Sequence, residues 1–151
     1  MLTPDEIALC EQAAVICPSF HLRKSARAVS RMFDEALQPS GLRSGQFVML
    51  LSIARLGDPT YGQLARELVM DTSTIVRNLQ PLQRENLIDL VAGPDRRRKT
   101  VRITAGGAAR IRQAVPLWRK AQESFNSRVG EDRWTRMLVD LGQTLESVRG
   151  Y

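Results

Sequence analysis

Residues 60–107 read TYGQLARELVMDTSTIVRNLQPLQRENLIDLVAGPDRRRKTVRITAGG, and the fold is decided inside them. Thr60 stands where a helix N-cap is wanted, ahead of a short run bearing Leu64, Ala65 and Leu68 at helical spacing. Asp71 is placed to cap a second helix over TSTIVRNLQPLQREN, whose apolar face is Ile75, Val76, Leu79 and Leu82. So tight a joint between two short helices reads as a helix-turn-helix. Pro81 lies inside the second helix, where it removes a backbone hydrogen bond and predicts a bend in the last turns. Asn86 sits where a left-handed cap is needed, a conformation Asn tolerates better than most residues. From Leu87 the period changes from helical to alternating. Ile88 and Leu90 flank Asp89, and Val101 and Ile103 alternate with Thr100 and Arg102, so the chain reads strand, turn, strand. The turn, GPDRRRK, carries four consecutive positive charges.

Outward from this segment the pattern is helical on both sides. Leu22, Ala26, Val29, Phe33 and Ala36 form one stripe over residues 20–37, with Arg23, Lys24, Arg27 and Arg31 on other faces. Pro39 and Gly41 stop that helix, and SGQFVMLLSIARLG begins another with Phe47, Leu50, Leu51 and Ala54 on one side and Gly57 past its end. Beyond the hairpin, Thr104 is placed to cap a long helix through Ile111, Val115, Trp118, Phe125 and Val129, in which Pro116 predicts a kink. Gly130 breaks it, and Trp134, Leu138, Leu141, Leu145 and Val148 then repeat at steps of three and four. These end helices carry more apolar surface than a three-helix core can cover, which favours burial against a partner copy. The expected architecture is mainly α (α+β): one domain over 1–151, a winged helix-turn-helix core over 41–104, and dimerisation helices over 1–40 and 105–151.

With 151 residues, 43% of them hydrophobic and 25% charged, the chain suits one globular domain. A formal charge of +6 and a pI near 10.1 favour polyanionic partners, nucleic acid before an anionic membrane surface. No apolar run approaches the roughly 18 residues of a membrane span, and MLTPDEIALCEQ is acidic where a signal peptide would be basic. A cytoplasmic location is expected, and two cysteines do not make a disulfide scaffold.

Helix, helix-turn-helix and hairpin in this order place the second helix of the pair in a DNA major groove and the hairpin over flanking phosphates or the minor groove. Thr72, Ser73 and Thr74 in the first turn offer hydroxyls and backbone N–H groups to a phosphate or base edge. Arg77, one turn on, suits guanine, and Asn78 suits adenine. Plainer readings stand beside these: capping chemistry for Ser73 and Thr74, a surface ion pair with Glu85 or a neighbour for Arg77, and a solvated charge run at the tip. A two-fold dimer would hold its recognition helices roughly 34 Å apart and select a near-palindromic operator in double-stranded DNA.

The segment resembles the winged-helix core of the MarR family, the multiple-antibiotic-resistance regulators. The matches are L-A-x-x-L (Leu64, Ala65, Leu68), D-x-S-T-x-x-R (Asp71, Ser73, Thr74, Arg77), the D-x-R wing (Asp95, Arg97) and T-x-x-G (Thr104, Gly107). The flanking helices fall in the family's order, so the likeness covers nearly the whole chain. It implies a homodimeric transcriptional regulator, usually a repressor, with interleaved terminal helices. It further implies that Arg97, beside Arg96 and Arg98, enters the minor groove, oriented by Asp95. Asn86 stands where the family usually has Gly, and Pro81 is unusual in the recognition helix.

In related regulators small phenolic or carboxylate compounds bind between the dimer helices and the core, so the resemblance implies a small aromatic or carboxylate effector, with His21 and Arg23 as candidate contacts. Some relatives sense peroxide or quinones through a cysteine near the start of this helix; aligned with them, Ser19 falls nearer the sensing position and Cys17 just upstream. Cys10 and Cys17 read as buried inert thiols, with a redox switch at Cys17 the alternative. A disulfide between them would need a helix break, which Pro18 can supply. His21, the sole histidine, has no zinc-type spacing around it, and no cofactor or metal is expected. A winged-helix module whose basic wing meets an acidic protein is a further alternative. The chain carries no nucleophile elbow, P-loop or dinucleotide fingerprint, so no enzyme is expected.

Overall fold

The computed structural model describes residues 1–92 and 99–148; the tip residues Asp95, Arg96, Arg97 and Arg98 lie outside the described residues. Helices α1 (Pro4–Ile16) and α2 (Pro18–Leu37) come first, followed by a 3-10 turn over Gln38–Ser40 that Gly41 closes at φ 73°. Then come α3 (Ser44–Leu56), α4 (Tyr61–Leu68), α5 (Thr72–Arg84), strands β1 (Ile88–Ala92) and β2 (Lys99–Ile103), and helices α6 (Ala105–Val129) and α7 (Glu131–Val148). This is the winged helix-turn-helix expected from the pattern.

The strands pair antiparallel, with Ile88 opposite Ile103 and Leu90 opposite Val101. Simple alternation puts Thr100 on the solvent side, but Thr100 is buried. The reason is a further backbone contact: Thr60 bridges to Thr100, and the N–H of Val101 donates to the Pro59 carbonyl at 2.9 Å, so the connector between α3 and α4 covers that edge. An ion pair across the same seam, Arg102 Nε to Asp58 Oδ2 at 2.7 Å, ties the wing to the connector.

One continuous core lies where α3, α4, α5, the hairpin and the middle of α6 meet, built on Phe47, Leu50, Leu64, Ile75, Leu82 and Val101. The buried arc of α3 is Phe47, Met49, Leu50, Ser52 and Ile53, whereas Leu51 and Ala54 are exposed. The helix is therefore rotated from the orientation its hydrophobic spacing suggested, because α3 packs on both β2 and α6 and must bury a face broader than one stripe. Gly107 is fixed by a close approach: a Cβ there would fall 2.0 Å from the Leu87 carbonyl oxygen, so the start of α6 lies directly on the residue before β1.

Pro81 and Pro116 are both accommodated inside unbroken helices. α1 falls within the dimerisation helices expected over 1–40, though no apolar stripe marked it separately, and the helix breaks at Pro18. Thr3 and Glu6 form a capping box at its start, but it buries no residue, and a helix without an apolar stripe gives no periodic signal. Cys17 is the extended residue between α1 and α2, as the proline that follows it requires.

Candidate nucleic-acid interface

The joint between α4 and α5 is short because both ends are locally determined. Thr60 caps α4 in a reciprocal box with Gln63, and α4 ends at Val69 in the left-handed region, φ 52°. That is a costly conformation for a β-branched residue, and it turns the chain sharply into Asp71. The Asp71 carboxylate then accepts three hydrogen bonds: from Ser73 Oγ at 2.5 Å, from the Thr74 N–H at 2.7 Å and from Thr74 Oγ1 at 2.7 Å. These donors, the Ser73 hydroxyl first and Thr74 after it, hold the Asp71 carboxyl far below the usual carboxylate range.

Thr74 passes the ordering on. Its hydroxyl oxygen accepts from Arg77 Nη2 at 3.0 Å, which directs the exposed guanidinium along the first turn of α5. The structure thus joins Ser73, Thr74 and Arg77 into one chain of contacts anchored on Asp71. Glu85 pairs instead with Arg110, at 3.5 Å, and among the described residues an Arg77–Glu85 ion pair is not formed. The hydroxyl protons of Ser73 and Thr74 are occupied by Asp71, which leaves their lone pairs, the exposed Thr72 and the Arg77 guanidinium as the outward groups. Asn78 is exposed, and its Nδ2 donates to Met70 Sδ at 3.7 Å. The Asp58–Arg102 tether that fixes the base of the wing joins residues 44 positions apart and carries no local signal.

A cavity of about 380 Å³ lies between this core and the end helices. Phe33, Phe47, Trp118, Phe125 and Trp134 contribute rings to its wall, with Phe125 and Trp134 edge to face at 4.9 Å. His21 and Arg23 are not among its lining residues. His21 sits at the corner of α1 and α2 with Nε2 2.8 Å from the Val15 carbonyl oxygen, and Arg23 Nε reaches Ser19 Oγ at 3.4 Å. Both cysteines are free; Cys10 is exposed and Cys17 half-buried, which corrects the reading of the pair as buried thiols. Neither belongs to a packed core, because α1 packs too little against the rest of the chain to cover them.

No family model matches the chain. A mutant of MarR from Escherichia coli, solved complexed with operator DNA, superposes with a TM-score of 0.79 over 88% of this chain and 96% of that one, at 23% identity. An HTH-type transcriptional regulator of Bacillus cereus is 30% identical over 112 residues, which is 74% of this chain and 75% of the relative. Across the curated relatives the aligned share of the relative falls as low as 61%. The transcriptional regulator MosR of M. tuberculosis, solved in complex with DNA, is 36% identical with a TM-score of 0.77 over 88% of this chain and 98% of that one.

The chain belongs to the MarR family. Its relatives are transcriptional regulators rather than enzymes. Among the described residues the winged-core elements α3, α4, α5, β1 and β2 follow in the family's order, and the T-x-x-G match has a physical basis in the contact of Gly107 with Leu87. Among the described residues no helix is long and apolar enough to cross a membrane.

Proposed function

We propose that this MarR-family chain acts as a homodimeric regulator that binds a near-palindromic site in double-stranded DNA and represses transcription, released by a small effector. In this reading 41–104 is the DNA-binding core, and 1–40 with 105–151 form the dimer. The observation that carries it is the anchored edge of α5: Asp71 fixes Ser73 and Thr74, Thr74 directs Arg77, and the guanidinium is presented on an exposed helix face of major-groove dimensions. Arg77 is assigned to a guanine edge, Asn78 to a neighbouring base, Thr72 and the backbone N–H of Ser73 to phosphate, and the Ser73 and Thr74 hydroxyls, whose protons Asp71 holds, to accepting from base-edge donors and from Arg77. The wing, with Asp95, Arg96, Arg97 and Arg98, is assigned to the backbone and minor groove. MosR and MarR, which share this fold, have each been solved with DNA.

Selection of duplexes from a random pool, followed by salt titration of the selected site, tests the assignment. The selected site is expected to be two-fold symmetric, and affinity to fall steeply with salt. Arg77→Ala should relax preference at one base pair per half-site at a cost of about 1–3 kcal/mol. Arg97→Ala should weaken all duplexes alike and lower the salt slope by about 1. Binding no tighter than to random duplex, with capture of an acidic protein instead, would replace regulation by protein docking.

A further inference from the structure

Two neighbouring side chains of α5 offer planar polar groups to a base edge, and each is held by a different partner. Arg77 Nη2 donates to the Thr74 hydroxyl at 3.0 Å, within the helix. Asn78 turns back to the joint before the helix, where its Nδ2 donates to Met70 Sδ at 3.7 Å, eight positions earlier in the chain. A thioether sulfur accepts a hydrogen bond and has no proton to give. The end of the Asn78 amide that faces it is therefore the nitrogen, and Oδ1 is turned away from Met70.

Met70 is itself placed by the backbone around it. Val69 takes the left-handed conformation at φ 52°, the Met70 N–H donates to the Ala65 carbonyl at 2.9 Å, and the next residue, Asp71, is already the cap of α5. The Met70 side chain lies along the apolar wall it shares with Leu68 and is still 39% exposed. The sulfur thus reaches Asn78 from a joint whose path is set by residues on both sides of it.

The orientation of an amide decides what it reads. Adenine shows a donor, N6–H, beside an acceptor, N7, in the major groove, and an Asn meets both with Oδ1 and the N–H on the same side as Oδ1. The second N–H points away from that edge and is left over. Met70 Sδ takes one Nδ2 proton without competing for Oδ1, so the sulfur contact and an adenine edge are satisfied together. An amide turned over would set donor against donor at N6 and acceptor against acceptor at N7. Guanine and thymine offer only acceptors in this groove, and cytosine a donor with no acceptor beside it.

We propose that Met70 determines specificity in this regulator: its sulfur holds the Asn78 amide in the orientation that reads adenine. This rests on the regulator reading above and deepens it, by giving Asn78 a base and naming the group that sets it. Met70 acts through Asn78, as a positioning residue. Sulfur is a weak acceptor, so its share is a sharpening of preference by about threefold rather than a large part of the affinity.

The test compares the unmodified full-length protein with Met70→Leu, which keeps the bulk at a part-exposed position and removes the acceptor. Asn78→Ala and Arg77→Ala, measured on the duplex selected from a random pool, first mark the base pair that each side chain reads. At the Asn78 pair, exchanging A·T for another pair should cost the unmodified protein about tenfold in affinity. In Met70→Leu that ratio should fall to about threefold, while the ratio at the Arg77 pair stays as it was. Added to Asn78→Ala, Met70→Leu should change nothing further at the Asn78 pair. Relaxation of both pairs together would make Met70 a support of the joint and nothing more. An unchanged ratio at the Asn78 pair, or selection of a base other than adenine there, would overturn the proposal outright. The contact is also measurable without DNA: a nuclear Overhauser effect between the Met70 Cε methyl and the Asn78 amide protons is expected in the free protein, and its absence would remove the device. Failure to bind any duplex would sink the regulator reading and the adenine assignment with it, whereas duplex binding with unchanged ratios would sink the role of Met70 alone.

Discussion

The winged core and the end helices are built from the same apolar residue types and treat them in opposite ways. In the core, Leu50, Leu64, Ile75 and Leu82 are all 0% exposed. In α7, Leu138, Leu141, Leu145 and Val148 recur just as regularly, yet no residue of that helix is buried, and α1 buries none either. The core closes upon itself within one chain. Among the end helices, α7 presents a regular apolar stripe that stays largely exposed in the single chain, a surface that water penalises. Regular spacing therefore means two things in this molecule: a completed contact where the neighbours come from nearby sequence, and an unmet one where the complementary stripe belongs to another copy, as the dimer proposed above supplies.

The same deletion in the two regions separates these meanings. Leu64→Ala removes a fully buried side chain and should cost about 3 kcal/mol in urea unfolding, at every protein concentration. Leu138, 51% exposed in the single chain, should cost little as Ala in dilute protein and progressively more as concentration rises, because its partner is supplied by association. If Leu138→Ala is as costly as Leu64→Ala in a demonstrably monomeric sample, the contrast is wrong.

Charging the seam is the next largest break. Leu138→Asp combined with Leu145→Asp places two carboxylates on the face proposed to meet its twin, where the like-charged copy repels it. Sedimentation should then report a monomer with unchanged helical circular dichroism. Affinity for a two-fold site should fall about a hundredfold, the loss expected when two linked half-site contacts become one. A dimer that survives both substitutions would move the interface elsewhere.

How much of this was legible beforehand follows the same division. Signals confined to a few residues were readable: Thr60, Asp71 and Thr104 are the caps their spacing suggested, and Asn86 adopts φ 55° where a left-handed residue was needed. The hairpin and both prolines inside helices also fell where the pattern put them. Contacts between distant segments were not readable. The burial of Thr100 needs Pro59 and Thr60 brought against β2, the rotation of α3 needs β2 and α6 on either side, and α1 has no stripe to announce it. The site divides likewise. Residues 71–77 form one local chain of hydrogen bonds and were found together, whereas the cavity gathers walls from α2, α3, α6, α7 and the joint before α5, which no local window contains.

The smallest expected effect probes the edge where these two regions' roles meet. Asp71 is ionised and held by three donors, and its folded-state carboxyl lies below the value of about 3.9 it would have in an unfolded chain. A group depressed in this sense contributes its full share of stability above the unfolded value and loses it as pH falls through the folded one. Between pH 5 and 8 the cap should therefore be constant, and any pH dependence of duplex binding in that range must come from other groups. A carboxyl carbon NMR titration should place the Asp71 midpoint below that of a free aspartate. Ser73→Ala removes the donor that contributes most to the depression, so it should move the midpoint upwards, with a small loss of helix content at pH 3 and little at pH 7. A midpoint that does not move in Ser73→Ala would mean that the hydroxyl is not spent on Asp71 and is free to donate to a phosphate directly, which would change how the first turn of α5 meets its partner.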